Sequence, residues 1–281
     1  GNNEYIVNWS KKNEFNRARK TFEELYLRKG LTWPFVTSGT FSARYFGNGF
    51  LWDVAGSPCF FKDNETMLYS LGFLCCKIAE FILKIINPTI NVQAIDLEKL
   101  PLILDEKNKS KVISLVKANV KISKNDWDNF ETSWNFKIHP LILFKESSIE
   151  SSFDKWDEQT KRKFLKLKLN EEELNKIFID IYNLRSELTP LIKESEITIN
   201  KANLSRDIKS FISYAVGCML GRYSLDEEGL IFAGGQWDPS KYSKFLPDDD
   251  NIIPILDTEY FEDDIVGRFV EFVKVTFGEE N

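Results

Sequence analysis

Apolar side chains recur along this chain with two alternating periods. Residues 5 to 9, Tyr-Ile-Val-Asn-Trp, are aromatic and β-branched and predict a strand, whereas Phe15, Ala18, Phe22, Leu25 and Tyr26 recur every three or four positions and predict a helix over 13–29. From Thr32 to Val54 the composition turns to Thr, Ser, Phe, Val and Trp. Asn48-Gly49 between Phe46 and Phe50 predicts a hairpin there, because both turn positions tolerate positive φ. Helical spacing returns over 65–86 and stops at Asn87-Pro88, since the residue before proline is pushed out of the helical region. After Thr89 to Ile95 and Leu100-Pro101-Leu102, a first unit closes near residue 104.

Beyond it, Lys107 to Lys117 is helical in pattern, and Trp127, Phe130 and Trp134 form a stripe within 126–136 suited to bundle packing. Ser151 to Lys168 predicts a helix. Asn170 with Glu173 resembles a capping box that starts the next one, through Leu184. Ser205 to Tyr223 places Ile208, Phe211, Ile212, Ala215 and Met219 on one face, with Gly217 and Gly221 open to close helix approach. Turn signals fill 224–264, and a last helix runs from Phe261 to Phe277 with Asp263 and Asp264 at its positive end. The pattern predicts an α+β fold. A small mixed β-sheet domain with flanking helices occupies 1–104, a mostly helical bundle 105–224, and an acidic loop with a C-terminal helix packed on the bundle 225–281.

The composition, 43% hydrophobic and 28% charged over 281 residues, is globular and excludes collagenous and wholly disordered classes. The longest apolar stretch, Leu68 to Ile86, is broken by Ser70, Lys77, Glu80 and Lys84, unlike a membrane span of about 20 uncharged residues. Cys59, Cys75, Cys76 and Cys218 form no C-x-x-C spacing, and no basic-then-apolar leader opens the sequence. We therefore expect a reducing cytoplasm, no membrane and no disulfide frame. The chain opens on Gly1 and carries a helical pattern close to Asn281, as expected of a piece of a longer protein.

The net charge of −6 is unevenly placed: residues 1–100 sum to +2 and residues 225–281 to −11. The segment 11–29 holds Lys11, Lys12, Arg17, Arg19, Lys20, Arg28 and Lys29, a run that suits either a solvated helix face or phosphate contact.

Catalytic chemistry is hard to find. The single histidine, His139, precedes Pro140 without a partner motif and is expected in a surface or loop position. Gly47-Asn48-Gly49-Phe50 lacks the third glycine and the following helix of a cofactor loop. Asn87-Pro88-Thr89-Ile90 resembles only the start of the Asn-Pro-Pro-aromatic motif that grips a flipped base. Asp248-Asp249-Asp250 reads as a solvated loop, because three adjacent carboxylates cannot all turn inward to a metal. No catalytic or metal-binding residue is assigned.

Several stretches do match a known family. Gly1 to Trp9, Thr37-Ser38-Gly39-Thr40-Phe41-Ser42-Ala43-Arg44-Tyr45-Phe46 with Asp53-Val54-Ala55-Gly56, and Ile86 to Gln93 resemble the target-recognition region of the PglX adenine-specific DNA methyltransferases of BREX phage-defence systems. Ser123 to Trp134, Ile208 to Met219 with Gly221 to Ser224, and Pro247 to Ile255 resemble the helical C-terminal part of the same family. The resemblance implies a C-terminal fragment of an enzyme related to type IIG restriction-modification proteins. Its N-terminal domain, absent here, uses S-adenosylmethionine to methylate the N6 amine of adenine; this fragment is expected to hold no cofactor itself.

On that resemblance the fragment reads double-stranded DNA. Thr37, Ser38, Thr40, Ser42 and Arg44 are expected at the DNA face, with Arg44 bidentate to guanine and Asn91 and Gln93 addressing adenine. Lys11, Lys12, Arg17, Arg19 and Lys20 are expected to hold phosphates. The helical unit would act as spacer and clamp against the methyltransferase domain, and the acidic tail would meet other defence proteins. The alternative is a protein-interaction scaffold of the defence complex with little affinity for DNA.

Overall fold

The computed structural model describes residues 6–14, 22–37, 39–258, 260–261 and 263–279. The chain divides into two compact units, residues 1–123 with 165–198 and residues 124–164 with 199–281. Residues 104 and 224, where the sequence pattern suggested boundaries, each fall inside a unit.

The first unit carries the described sheet. Strands β1 (Gly30–Thr32), β2 (Arg44–Phe46) and β3 (Pro58–Cys59) stand in the order β2-β1-β3, with Gly30 opposite Phe46, Thr32 opposite Arg44 and Leu31 opposite Cys59. The α+β class holds, but the described sheet is antiparallel throughout rather than mixed. The Asn48-Gly49 turn forms, with Gly49 at φ 93, yet no partner strand follows it. Its Gly49 N–H donates to the Leu27 carbonyl at 2.9 Å and its Asn48 Oδ1 accepts from the Lys29 N–H at 3.0 Å, so the turn is tied back to the entry of β1. The chain then makes a 3-10 turn at Val54–Gly56 and reaches the opposite edge of β1 as β3.

Two N-terminal expectations are corrected. Residues 6–8 belong to no strand and Trp9 opens a 3-10 segment, its ring edge-on to Tyr26; Tyr5 lies outside the described residues. Left-handed φ at Phe22 (57°) and Leu27 (63°) breaks the predicted helix in its described part, leaving a 3-10 turn at Glu23–Leu25.

Gly30 is required where it stands. An added Cβ would lie 2.6 Å from the Cys59 carbonyl oxygen and 2.9 Å from the Phe46 ring. Gly30→Ala is expected to cost about 1–3 kcal/mol through overpacking, read as a lower urea midpoint; an unchanged midpoint would contradict the packing.

Helices α1 (Asn64–Leu74) and α2 (Lys77–Ile86) replace the single predicted helix, the break falling at Cys76, which is extended. Asp63 caps α1 by accepting the Thr66 N–H at 2.8 Å. α1 is buried from Met67 to Leu74, with Gly72 allowing Val112 and Val116 of α4 (Lys109–Trp127) to approach. α3 (Ala94–Glu98) is short. The core of this unit gathers Leu31, Trp33, Phe41, Tyr69, Phe73, Ile78 and Phe178.

The remaining helices are α5 (Pro140–Leu143), α6 (Ile149–Ile181), α7 (Leu204–Met219) and α8 (Ile265–Phe277). α6 is one helix of 33 residues, not two. Asn170 sits buried inside it, its amide donating to Asn119 Oδ1 at 2.8 Å, and Glu173 pairs with Lys111; the apparent capping box is two cross-helix contacts. The Trp127–Trp134 stripe is not bundle packing either. α4 ends at Trp127, tight turns follow (Ser133 N–H to Phe130 carbonyl, 2.9 Å; Phe136 N–H to Ser133 carbonyl, 3.1 Å), and Trp127 and Trp134 are exposed while Phe136 is buried.

Gly217 gives room to the Tyr223 ring, and Gly221, at φ 72, turns the chain after α7; their use is local, not helix-helix approach. His139 is in a loop but buried, its Nδ1 accepting the Leu141 N–H at 3.2 Å ahead of α5. The second unit's core joins Phe136, Trp156, Phe211, Tyr214, Tyr223, Phe245 and Phe272. Among the described residues no helix is long and apolar enough to cross a membrane.

Candidate nucleic-acid interface

The segment before β2 alternates strictly in burial. Phe41 and Ala43 are buried, Thr40 and Arg44 are exposed and Ser42 is half-buried, so a period of two places Thr40, Ser42 and Arg44 on one outer side. Arg44 continues onto β2 opposite Thr32, whose hydroxyl is occupied by the Ser57 carbonyl at 3.0 Å. Among the described residues Arg44 is exposed and has no carboxylate partner.

A second segment comes alongside. The Thr37 N–H donates to the Ile90 carbonyl at 2.9 Å, the Val92 N–H to the Phe35 carbonyl at 2.8 Å, and Val36 faces Asn91 in an antiparallel bridge. The buried Trp33 indole N–H, donating to the Val92 carbonyl at 3.0 Å, anchors this pairing to the end of β1. Val36 and Asn91, 55 positions apart in the chain, are thereby paired, with Thr37 beside Ile90. The Thr37 hydroxyl makes only a long 3.5 Å contact to the Gly39 carbonyl, and Asn91 is half-buried. Gln93 is exposed at the N-cap of α3, where Asp96 accepts its backbone N–H at 2.9 Å. That bond, with the Asn87 amide, holds the Asp96 carboxyl below the usual carboxylate range. Ser38 lies outside the described residues.

Asn87 itself is fully engaged. Its amide donates to the Asn91 carbonyl and to Asp96 Oδ2, both at 2.7 Å, while its Oδ1 accepts the Thr89 N–H at 3.0 Å and the Thr89 hydroxyl at 2.7 Å. The Asn-Pro-Thr-Ile sequence is a turn clamp that shapes the Asn91 segment, with no free group for a base. The Gly47-Asn48-Gly49 turn has its Gly49 N–H and Asn48 Oδ1 already used, and no helix follows. These residues do not fit the adenosyl cradle of S-adenosylmethionine. At the acidic run, Asp248 and Asp250 accept the Ile252 N–H at 3.2 and 2.8 Å.

Of the predicted phosphate contacts, Lys11 is exposed beside Glu14 at 3.6 Å, and Lys12 lies 3.9 Å from Glu23 and 5.7 Å from the Trp9 ring centroid. Arg17, Arg19 and Lys20 lie outside the described residues. The structure adds an aromatic ladder that no spacing in the sequence announces. Trp9 meets Tyr26 (5.7 Å between centroids), Tyr26 meets Trp52 (4.9 Å), Trp52 meets Phe60 (5.1 Å) and Phe60 meets Phe46 (6.1 Å). Edge-on contacts of this kind add to area burial. They connect the Lys12 turn to β2, two residues from Arg44.

Comparison with known proteins finds relatives of the whole chain. No family model matches the chain. The adenine-specific methyltransferase PglX of Lacticaseibacillus casei (strain Zhang) is 38% identical over 299 residues, taking in 100% of this chain and 25% of that protein. The chain is related along its whole length to the PglX and BrxX methyltransferases. The second relative, the adenine-specific methyltransferase BrxX of Escherichia coli O9:H4 (strain HS), is 34% identical over 316 residues with the same coverage. The chain thus spans a quarter of the length of these PglX and BrxX proteins, and the resemblance read from separate motifs extends through the residues between them.

Proposed function

We propose that this chain is the double-stranded DNA reader of an adenine-specific methyltransferase of phage defence, positioning the duplex for a catalytic domain elsewhere in the parent protein. One observation carries the reading: in a chain related to a quarter of PglX and BrxX, exposed Thr40, half-buried Ser42 and exposed Arg44 share an outer side and follow directly on the segment that pairs Val36 with Asn91 and Thr37 with Ile90. Short hydroxyl side chains and an unpaired arginine are the groups that read base edges, Arg44 suiting the O6 and N7 acceptors of guanine and Asn91 and Gln93 the edge of adenine. Thr37 and Ser38 would complete that surface. Lys11 and Lys12, with Arg17, Arg19 and Lys20, would hold phosphates without reading sequence.

S-adenosylmethionine belongs in this reading to the catalytic part of the parent, and the helical second unit acts as spacer and clamp. The carboxylates of 225–281 would turn from the duplex toward another defence protein.

Arg44→Ala in the full-length parent tests the proposal. Removing one bidentate base pairing is expected to cost about 1–3 kcal/mol of discrimination at a single position. Mapping methylated adenines should then show a relaxed or vanished motif. An unchanged motif removes Arg44 from recognition, and absence of duplex binding by the wild-type chain at low salt favours the scaffold.

A further inference from the structure

The register of the sheet puts Arg44 and part of the aromatic ladder on one face. Leu31, 0% exposed, points into the core from β1, so its neighbours Gly30 and Thr32 belong to the outer face. Residues directly opposite each other in an antiparallel pair share a face. On one side of β1, Arg44 stands opposite Thr32 and Phe46 opposite Gly30; on the other side Pro58 stands opposite Thr32, and Phe60 follows two residues later. The outer face therefore carries Arg44, Phe46 and Phe60, and the 6.1 Å between the two ring centroids spans β1. Gly30 leaves the room for this: an added Cβ would meet the Phe46 ring at 2.9 Å.

These rings are not an extension of the core. Tyr69 and Phe73 are buried there, whereas Phe46, Phe60 and Trp52 are only half-buried. Phe60 meets Phe46 at 88° and Trp52 at 60°, and in such steep contacts one ring offers its edge and keeps its π surface. Phe46 lies two residues from Arg44, roughly 7 Å at strand rise, and nucleic acid rises roughly 3.4 Å per nucleotide, so one stretch of it reaches both. The Asp53 carboxylate, next to Trp52 in the chain, accepts the Ala55 N–H at 2.8 Å. It would repel a phosphate, but it does not oppose the face of an uncharged base.

Bases inside a duplex have their faces covered by their neighbours, and only an unpaired base offers one to a protein ring. The reaction proposed for the parent takes an adenine out of the stack, which leaves its partner base unpaired. We propose that the outer face of this sheet is a stacking platform for an unpaired base of the bound duplex, an assignment that rests on the function proposed above. Arg44 reads a base edge, and Phe46, Phe60 and Trp52 hold the face of a base that has lost its partner.

The test uses the 281-residue chain and a duplex of about 30 base pairs, either fully paired or interrupted by a short single-stranded gap of thymine, 2-aminopurine and thymine. The gapped duplex should bind roughly 5- to 100-fold more tightly than the paired one, the range for one stacked base. The emission of 2-aminopurine, which stacking quenches, should fall on binding. Trp52→Leu/Phe60→Leu should bring the affinity ratio toward unity, Trp52→Phe/Phe60→Tyr should restore it, and Trp134→Leu, at an exposed ring of the second unit, should keep it. A ratio near unity or undiminished emission with wild-type protein overturns the platform, whatever the variants do, and leaves the DNA reading standing if paired duplex is bound. A wild-type ratio in the leucine pair, or an equal loss in Trp134→Leu, also overturns it. Wild-type protein that binds neither duplex overturns both proposals. A single strand of the gap sequence that binds as tightly as the gapped duplex would make the face a single-strand site and overturn the duplex assignment.

Discussion

Asp207→Ala is expected to destabilise the second unit by about 3–5 kcal/mol, the cost of stripping a buried charge from its partners. Asp207 is 3% exposed and accepts three donors, the Trp156 indole N–H at 3.0 Å, the Asn203 backbone N–H at 3.0 Å and Arg206 Nε at 2.6 Å. Asn203 is the N-cap of α7, so the same carboxylate ties the helix start to Trp156 on α6. Truncation leaves a buried indole N–H without an acceptor and takes away the counter-charge of Arg206, which then retains the Lys201 carbonyl and the Phe130 ring. The urea midpoint at neutral pH should fall accordingly. In the Asp207→Ala background, Trp156→Phe should cost less than it does in the wild type, because the orphaned donor goes with the indole. Strict additivity of the two substitutions would show that the hydrogen bond carries none of the effect.

Local rules read from the sequence succeed here where one residue decides the outcome. Asn203, Asp63 and Asp264 cap helices close to the predicted starts, and Asn87-Pro88 ends α2, because a cap or a proline acts on its own backbone. They fail where a distant partner decides. Asn170 has the spacing of a cap but meets Asn119 inside a continuous helix, and Trp127 and Trp134 have the spacing of a packed stripe but are exposed at the end of α4 and in the turns after it.

The same division runs through the candidate site. The alternation Thr40-Phe41-Ser42-Ala43-Arg44 is legible as two faces, and the structure keeps it. The pairing of Thr37 with Ile90 depends on a chain closure with no local signature. Only the six spaced motifs of the family resemblance carried information of that range.

Acidification from pH 6.5 to 4.5 is expected to pull the two units in opposite directions. Burial holds His139 neutral, its pKa pushed down from 6.5 to about 3, so across this window the unfolded chain binds a proton that the folded one refuses. Stability of the second unit therefore falls as pH drops, by roughly 1.4 kcal/mol per pH unit. In the first unit, burial and then the neighbouring Glu196 raise Glu171 from 4.5 to about 7, so its folded form takes up the proton first. That contribution has the opposite sign: it is unfavourable above pH 7, is relieved as pH falls, and is gone by about 4.5, with a slope at most as steep. With one cooperative transition the two nearly cancel and the wild type is flat over the window. With separate transitions they diverge. Glu171→Gln should expose the acid lability, while His139→Asn, which keeps an acceptor for the Leu141 N–H, should leave a protein that gains stability down to pH 4.5. Urea midpoints at three pH values for the three proteins decide this, and parallel profiles would refute both assignments. The window stops at 4.5 because below about 4 the carboxylates held low by backbone N–H groups, Asp96 and Asp264 among them, begin to lose their own contributions.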